Sequence, residues 1–471
     1  MASTGDGIGA GAAASGARPA RVKVLGAGIT ASGARLAGVK VLGAGTAAFG
    51  DRLAGVKISG RELPPPASGR PGALTVRAKR KVQMETGTEV NMILSDKYKL
   101  LRKNFRNFAE TEFTTEIQEQ LDREGGFNWD LHYKMAKYGF MGIKLPVEYG
   151  GQGGDTLAYV LMVEEFARVC PVLSIYANTP NSLGSGPLLT CGTPEQKKKY
   201  IPPLASGEKK IVFALTEPGA GSDAGGTLTR AVKDGEYYVL SGRKCFISGA
   251  PLADYAVIYA KTNPALKGNK GISMFIVDMK LPGVSLGKPE LKMGINGYPT
   301  SDIILENVRV HESDLLGPLD KGFSTALKTL DGGRLGVAAQ SLGIAQCCLE
   351  ESIRYAKERK QFGRPIAKFQ AISFMIADMA TEIEAAREMI YSTALAKDAG
   401  EKDAPMKCSM CKLFASEMAN RVAYKAVQIH GGYGYMRDYK VERMYRDARI
   451  TTIYEGTSQV QQMVIAGNLL K

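Results

Sequence analysis

The chain has 471 residues, 44% of them apolar and 8% aromatic, with a formal net charge of +14. That length exceeds what one core supports and suits two or three domains. No run of 18 apolar residues occurs, so no membrane-spanning helix is expected.

The charge is unevenly spread. Residues 1–83 hold 13 Lys/Arg and only three acids, Asp6, Asp51 and Glu62. The remainder is close to neutral, which argues against a nucleic-acid footprint on the folded body. Residues 1–91 are rich in Gly, Ala, Ser and Arg and read as a disordered, low-complexity basic extension. A period of 17 residues repeats VKVLGAG from Val22 and again from Val39. Each copy starts like a dinucleotide-binding turn, but 17 residues leave no room for a strand-helix-strand unit. An Arg-rich, acid-poor segment of this kind also fits an organelle transit segment. The expected location is therefore the cytoplasm, or the mitochondrial matrix if residues 1–83 are such a segment.

From Ser95 the pattern becomes helical, with Tyr98, Leu101, Phe105 and Phe108 at spacings of three and four behind a capping residue. Further helix is expected over Leu161–Val169 and Pro194–Tyr200. From about Ile211 the texture changes to short β-rich runs such as EYYVLSGRKCFISG, DYAVIYAKT and GISMFIVDM, with turn signals such as Asp234-Gly235 between runs. From Gly322 helices return. Ile372, Ile376, Met379, Ile383, Ala386 and Ile390 form a bundle seam. The expected fold is α+β and mostly α. It has an N-terminal helical domain (residues 92–211), a middle β domain (212–320) and a C-terminal four-helix bundle (321–471).

Seven scattered cysteines suggest free thiols in a reducing compartment. Cys408 and Cys411 form a lone CxxC inside a helical stretch. With three histidines in the whole chain, it reads as a pair of packing thiols, and no metal site is expected. No Ser-His-Asp set or complete phosphate loop is present. Three stretches carry chemistry instead. Residues 213–225, FALTEPGAGSDAG, place hydroxyls at Thr216 and Ser222 beside glycines that let backbone N–H groups approach a ligand. Residues 358–370, ERKQFGRPIAKFQ, carry Arg359, a residue suited to a pyrophosphate. QIHGGYGY (428–435) is followed by YRDARITTIYEGTSQ (445–459), where Glu455 sits at a turn and suits a general base.

Taken together, LTEPGAGSD, DGGRLGVAAQSLGIA, ERKQFGRPI, QIHGGYGY and IYEGTSQ resemble the acyl-CoA dehydrogenase family, and more closely its short-chain, butyryl-type branch. The resemblance covers roughly residues 92–471. It implies FAD as cofactor, an acyl-CoA substrate, an electron-transferring flavoprotein as partner and a homotetramer. Phe213–Ser222 would line the flavin, with Phe213, Leu215, Thr216, Gly221 and Ser222 as binding residues. Thr216 would bond the ring, and Ser222 would touch both FAD and thioester. Phe246, Ile247 and Ser248 would lie against the isoalloxazine. Arg359 and Gln370 would reach the FAD of a neighbouring subunit, and Phe362 also counts as cofactor-binding. Gln428, His430, Gly431 and Gly432 would meet the adenine half, with His430 in place of a common Leu. Thr457, Ser458 and Gln459 would meet the pyrophosphate. Asp331 and Arg334 would contact CoA, and Gly456 the substrate.

The resemblance makes Glu455 the base that removes the α-proton while hydride leaves Cβ for the flavin. A second subgroup carries its base just before the Arg of DGGR, and Gly333 holds that position here. Asn296-Gly297-Tyr298 replaces a usual Arg-x-Ser, so Tyr298 is expected to change how its loop meets ligand or flavin. The implied reaction is α,β-dehydrogenation of a short- or medium-chain acyl-CoA. The alternatives are an enoyl-CoA reductase fed by an electron-transferring flavoprotein, an O₂-using oxidase, and a binding protein driven by the basic tail. Removal of residues 1–83 is expected to leave flavin content and turnover unchanged, measured by absorbance and steady-state assay; loss of either would place function in the extension.

Overall fold

The computed structural model describes residues 94–471; the basic extension, its repeat and the transit-segment reading fall outside them. Helix formation in the first domain follows local sequence. α1 (Asp96–Glu112) turns Phe105 and Phe108 inward and keeps Tyr98 and Leu101 half-buried. Ser95 occupies its N-cap without a side-chain capping bond. α2 (Thr115–Glu124), α3 (Trp129–Lys137), α4 (Thr156–Val169), α5 (Pro171–Asn181), α6 (Gly186–Cys191) and α7 (Pro194–Ala205) complete the domain. α7 carries a full capping box, Thr193 with Gln196.

α4 is buried along nearly its whole length, including Glu164 and Glu165. Two buried carboxylates require partners. Arg102 bonds both, Arg106 bonds Glu165, and Arg387 and the Tyr391 hydroxyl bond Glu164. The network joins α1 and α4 to the C-terminal bundle.

The middle domain is one sheet built from β1 (Ile211–Ala214), β2 (Arg230–Asp234), β3 (Tyr237–Ser248), β4 (Tyr255–Lys261), β5 (Ile272–Asp278), β6 (Val284–Leu286), β7 (Thr300–His311) and β8 (Leu315–Leu316). The strand order is β6-β7-β3-β2-β4-β5-β8, with β1 added parallel to β4. The Asp234-Gly235 turn closes an antiparallel β2–β3 hairpin. β4 and β5 are buried on both faces, because α6 and α7, through Leu188, Tyr200, Ile201 and Leu204, cover the side opposite the sheet's own core.

The last domain begins with α8 (Gly322–Glu358), a helix of 37 residues. A two-stranded hairpin, β9 (Lys360–Gln361) and β10 (Arg364–Pro365), leads to α9 (Gln370–Asp398), α10 (Ala404–His430), α11 (Lys440–Ala448) and α12 (Ser458–Leu469). The seam on α9 is realised: Met379, Ile383, Ala386 and Ile390 are buried, and Ile372 and Ile376 pack against the same core. Cys408 and Cys411 are buried on α10, with Cys411 Sγ 3.1 Å from Thr393 Oγ1. No cluster of metal-ligating side chains occurs among the described residues, and no described helix is long and apolar enough to cross a membrane.

The loop over residues 292–298 joins the domains. Asp447 on α11 accepts the Ile295 N–H at 2.6 Å, and Arg446 grips Asp122 of α2 at 2.6 and 2.7 Å. Tyr298 differs from its expected placement. It is only 4% exposed, with its ring 5.9 Å from Tyr176 and 6.0 Å from Phe127. Its hydroxyl lies under Gly249, where an added Cβ would meet it at 2.8 Å. Tyr298 thus supports the end of β3 from behind. Removing a buried aromatic ring costs about 3–5 kcal/mol. Tyr298→Ser is expected to lower the thermal midpoint by several degrees while bound flavin persists; an unchanged midpoint would show that the ring carries no packing energy.

Candidate active site

β1 ends at Ala214, and the chain turns through Leu215–Ser222. Phe213 is half-buried with its ring 4.9 Å from Tyr259; Leu215 is buried; Thr216 is half-buried; Gly221 and Ser222 are exposed. The turn is fixed from beneath by Lys244, a wholly buried cation. Its Nζ donates to Leu215 O at 3.1 Å and to Glu217 Oε1 at 2.7 Å. Glu217 in turn accepts the N–H groups of Leu228 and Thr229. Cys245 N–H donates to Thr216 O at 2.9 Å, which ties this turn to the end of β3. There Phe246 has φ +56° and is 68% exposed, Ile247 points into the sheet core, and Ser248 is exposed, 3.2 Å from Thr300 Oγ1. Ile247 therefore offers its backbone, not its side chain, to anything on that surface.

A second group gathers around Glu455, between the turn after α11 and the N-terminus of α12. Glu455 itself adopts φ +52°, a left-handed conformation uncommon outside glycine, and Gly456 follows at φ +92°. Three bonds hold this turn. Lys412 Nζ, on α10, donates to Gly456 O at 2.7 Å; Gln461 Nε2 donates to Gly456 O at 2.9 Å and Glu455 O at 3.2 Å. Thr457 caps α12, and Ser458 Oγ donates to Glu417 at 2.5 Å. Both hydroxyls are thereby engaged inside the subunit. Gln459 is exposed.

The Glu455 carboxylate projects toward α8, and its Oε2 is buried without a hydrogen-bond partner. Burial pushes its pKa up to about 7, with Lys412 and then Arg334 pulling it the other way. Burial also draws the Lys412 ammonium down to about 8, opposed chiefly by Glu455. Arg334 is buried, bonded to Asp331 at 2.7 Å and to Ser409 at 3.2 Å, with Nε unpaired. The space for the carboxylate exists because Gly333 has no side chain: an added Cβ would stand 1.9 Å from Glu455 Oε2. One turn on, a Cβ at Gly336 would stand 2.1 Å from the Tyr159 hydroxyl, which bonds Asn178 Oδ1 at 2.5 Å.

The third group lines a separate groove of about 650 Å³, formed where α8, the β9–β10 hairpin, α9 and the end of α10 meet. Arg359, Phe362, His430, Gly431 and Gly432 line it, with Tyr355, Phe369 and Tyr433. Phe362 is 93% exposed. Gln370 and Gln428 are exposed beside the groove's helices and are absent from its lining. Neither Glu455 nor any residue of the Phe213–Ser248 set lines it.

Sequence models of the acyl-CoA dehydrogenase N-terminal, middle and C-terminal domains match residues 95–208, 212–308 and 320–470. The chain belongs to the acyl-CoA dehydrogenase family. It is 60% identical over 380 residues to the caffeyl-CoA reductase–Etf complex subunit CarC of Acetobacterium woodii, covering 81% of this chain and all of that protein. It is 56% identical to a 3-(aryl)acrylate reductase of Clostridium sporogenes, with the same coverage. The butyryl-CoA dehydrogenase structure from Megasphaera elsdenii superposes with a TM-score of 0.78 at 42% identity, covering 80% of this chain and 99% of that one. The family consists of FAD-dependent oxidoreductases acting on CH–CH bonds.

Within this acyl-CoA dehydrogenase fold, Lys244, Lys412 and the Tyr159–Asn178 pair are buried polar contacts beside these groups that motif spacing does not signal. All are polar groups in otherwise apolar or helical stretches, so only contacts distinguish them from surface residues. From sequence, Gly333 is a position that carries no carboxylate. The structure shows that it also makes room for the Glu455 carboxylate on the facing turn. A displacement of about 1 Å at a reacting group costs on the order of 10²-fold in rate. Gly333→Ala is therefore expected to lower turnover by about 10²-fold with flavin still bound, read as kcat per mole of flavin; undiminished turnover would show that the carboxylate needs no such room.

Proposed function

We propose that this chain interconverts a CoA thioester and its α,β-unsaturated counterpart, with Glu455 exchanging the α-proton. The observation that carries the reading is the half-buried Glu455, whose carboxylate Oε2 is buried without a partner and whose pKa is raised to about 7. A carboxyl of that acidity takes and returns protons near neutral pH without a large driving-force penalty in either direction. The residues present fit a flavin dinucleotide. An exposed aromatic wall at Phe246 and a glycine turn at Gly221 supply one surface, and an aromatic groove with Arg359 supplies another. FAD, when bound, supplies the hydride acceptor or donor opposite Cβ.

The chain's own groups then have distinct tasks. Thr216, Ser222, Phe246 and Ser248 orient the ring, and Arg359 with the Gly431-Gly432 backbone holds the distal half. Thr457–Gln459 lie at the N-terminus of α12, an end suited to a pyrophosphate. The Glu455 backbone N–H, which has no acceptor among the described residues, is available to the thioester oxygen as negative charge develops there. Arg334 and Asp331, paired with each other, lie on the CoA side, and Gly456 borders the substrate. Because the groove and the Phe213–Ser248 surface are separate on one subunit, each FAD is proposed to bridge two copies within a homotetramer.

Two substrate readings remain distinct. The short-chain resemblance favours dehydrogenation of a short- or medium-chain acyl-CoA. The 60% and 56% identities to proteins named as caffeyl-CoA and aryl-acrylate reductases favour reduction of an arylacrylyl thioester with electrons from an electron-transferring flavoprotein. Assaying both directions with that partner separates them. Equal failure with butyryl and arylacrylyl thioesters would overturn the whole proposal.

The folded carboxyl is raised above its ordinary value, so it is protonated below about pH 7 and basic above. The α-proton abstraction rate is therefore expected to rise with pH through that value and level off. Glu455→Gln should lose about 10²–10⁴-fold and show no such inflection. Lys412→Met should move the inflection upward, since Lys412 lowers the Glu455 pKa. Stopped-flow bleaching of the flavin reads all three, and an unchanged profile in Glu455→Gln would remove this residue from the reaction.

A further inference from the structure

His430 is the one ring nitrogen donor-acceptor in the groove lined by Arg359 and Gly431-Gly432, and its chemistry is unusually constrained. The ring is only 4% exposed. One face stacks on Tyr355, at a centroid distance of 4.3 Å and an interplanar angle of 24°, and Tyr439 meets it edge-on at 6.0 Å. Its Nδ1 lies 2.8 Å from Ala426 O. A carbonyl oxygen only accepts, so Nδ1 carries the proton. In the neutral ring Nε2 is then an acceptor, and no described residue donates to it. Burial lowers the His430 pKa below its ordinary value and keeps the ring neutral at physiological pH.

His430 Nε2 has no donor among the described residues and lies in a groove walled by Tyr355, Phe369 and Tyr433, a setting that suits a flat ligand with an N–H at its edge. Two parts of a flavin dinucleotide carry such a group, the adenine ring in its exocyclic amine and the isoalloxazine at N3–H, and the proposed function puts the adenine half in this groove. We infer that His430 Nε2 accepts a hydrogen bond from the adenine amino group of FAD and selects adenine over other purines in this groove. The inference rests on the proposed placement of the adenine half in the groove.

Equilibrium binding to the flavin-free protein tests it without any turnover. Three ligands are compared by fluorescence titration: FAD, the dinucleotide with hypoxanthine in place of adenine, and FMN. Hypoxanthine presents a carbonyl oxygen where adenine has the amine, so acceptor would face acceptor. The intact protein is expected to bind FAD roughly tenfold or more tightly than the hypoxanthine analogue, as for a buried hydrogen bond lost and left unpaired. His430→Leu should weaken FAD and bring the two dinucleotides within about twofold, both still above FMN. His430→Gln, which can present a side-chain carbonyl, should restore part of the preference. If the intact protein binds both dinucleotides equally but above FMN, His430 does not read the amine, while the groove still holds the purine. If FAD binds no better than FMN, the adenine placement itself fails, and with it this inference.

Discussion

A carboxylate oxygen buried without a hydrogen-bond partner is expensive, and the surroundings of Glu455 keep its Oε2 in that state. The side chain is not pinned. The backbone that carries it is. Lys412 and Gln461 fix the carbonyls of Glu455 and Gly456, and a left-handed residue at Glu455 directs the side chain at α8. The strain of that conformation is of order 1–3 kcal/mol. The two cations nearest the carboxylate spend their hydrogen bonds elsewhere, Lys412 on a backbone carbonyl and Arg334 on Asp331 and Ser409. They moderate its charge without taking its lone pairs. A direct ion pair would have lowered the pKa and removed the base.

The same requirement explains the composition of α8. Gly332, Gly333, Gly336 and Gly343 lie inside one helix, and each glycine in a helix interior weakens it by roughly 0.5–1 kcal/mol relative to alanine. Gly333 and Gly336 face the Glu455 carboxylate and the Tyr159 hydroxyl, and at Gly343 an added Cβ would reach the Glu164 carbonyl at 2.3 Å. Packing against α4 and α10 on either side compensates for the poor propensity, since most helical stability in proteins is tertiary. The helix is therefore a stripped surface that lets the Glu455 carboxylate come close on one turn and α4 on another.

Much of this fold is written in periodicity. The α9 seam and the inward Phe105 and Phe108 follow from spacing alone, because an apolar face must be buried wherever it occurs. Strand β2 follows less directly, from the Asp234-Gly235 turn and the need to pair β3. What sequence reading misses is the polar minority. Lys244 sits in an apolar strand context yet organises the Thr216 turn, and nothing local signals that its partner is Glu217, 27 positions earlier. The burial of Tyr298 is unmarked in the sequence for a related reason. Its size marks it as important, but whether a large aromatic faces a ligand or a core depends on the Phe127 and Tyr176 rings, which arrive from another domain. Long-range placement decides such cases, and motif spacing carries no record of it.

The chemical direction belongs to this same category. A catalyst lowers one barrier for both directions, and a carboxyl titrating near neutrality serves a dehydrogenase as base and a reductase as acid with equal ease. Glu455, its turn and Gly333 would thus be needed unchanged in either role. On the proposed reading, whatever separates the two would act on the electrons rather than the proton, through the surroundings of a flavin ring at Thr216 and Phe246–Ser248. That is why relatives named for reduction and for dehydrogenation share this framework at 60% and 42% identity.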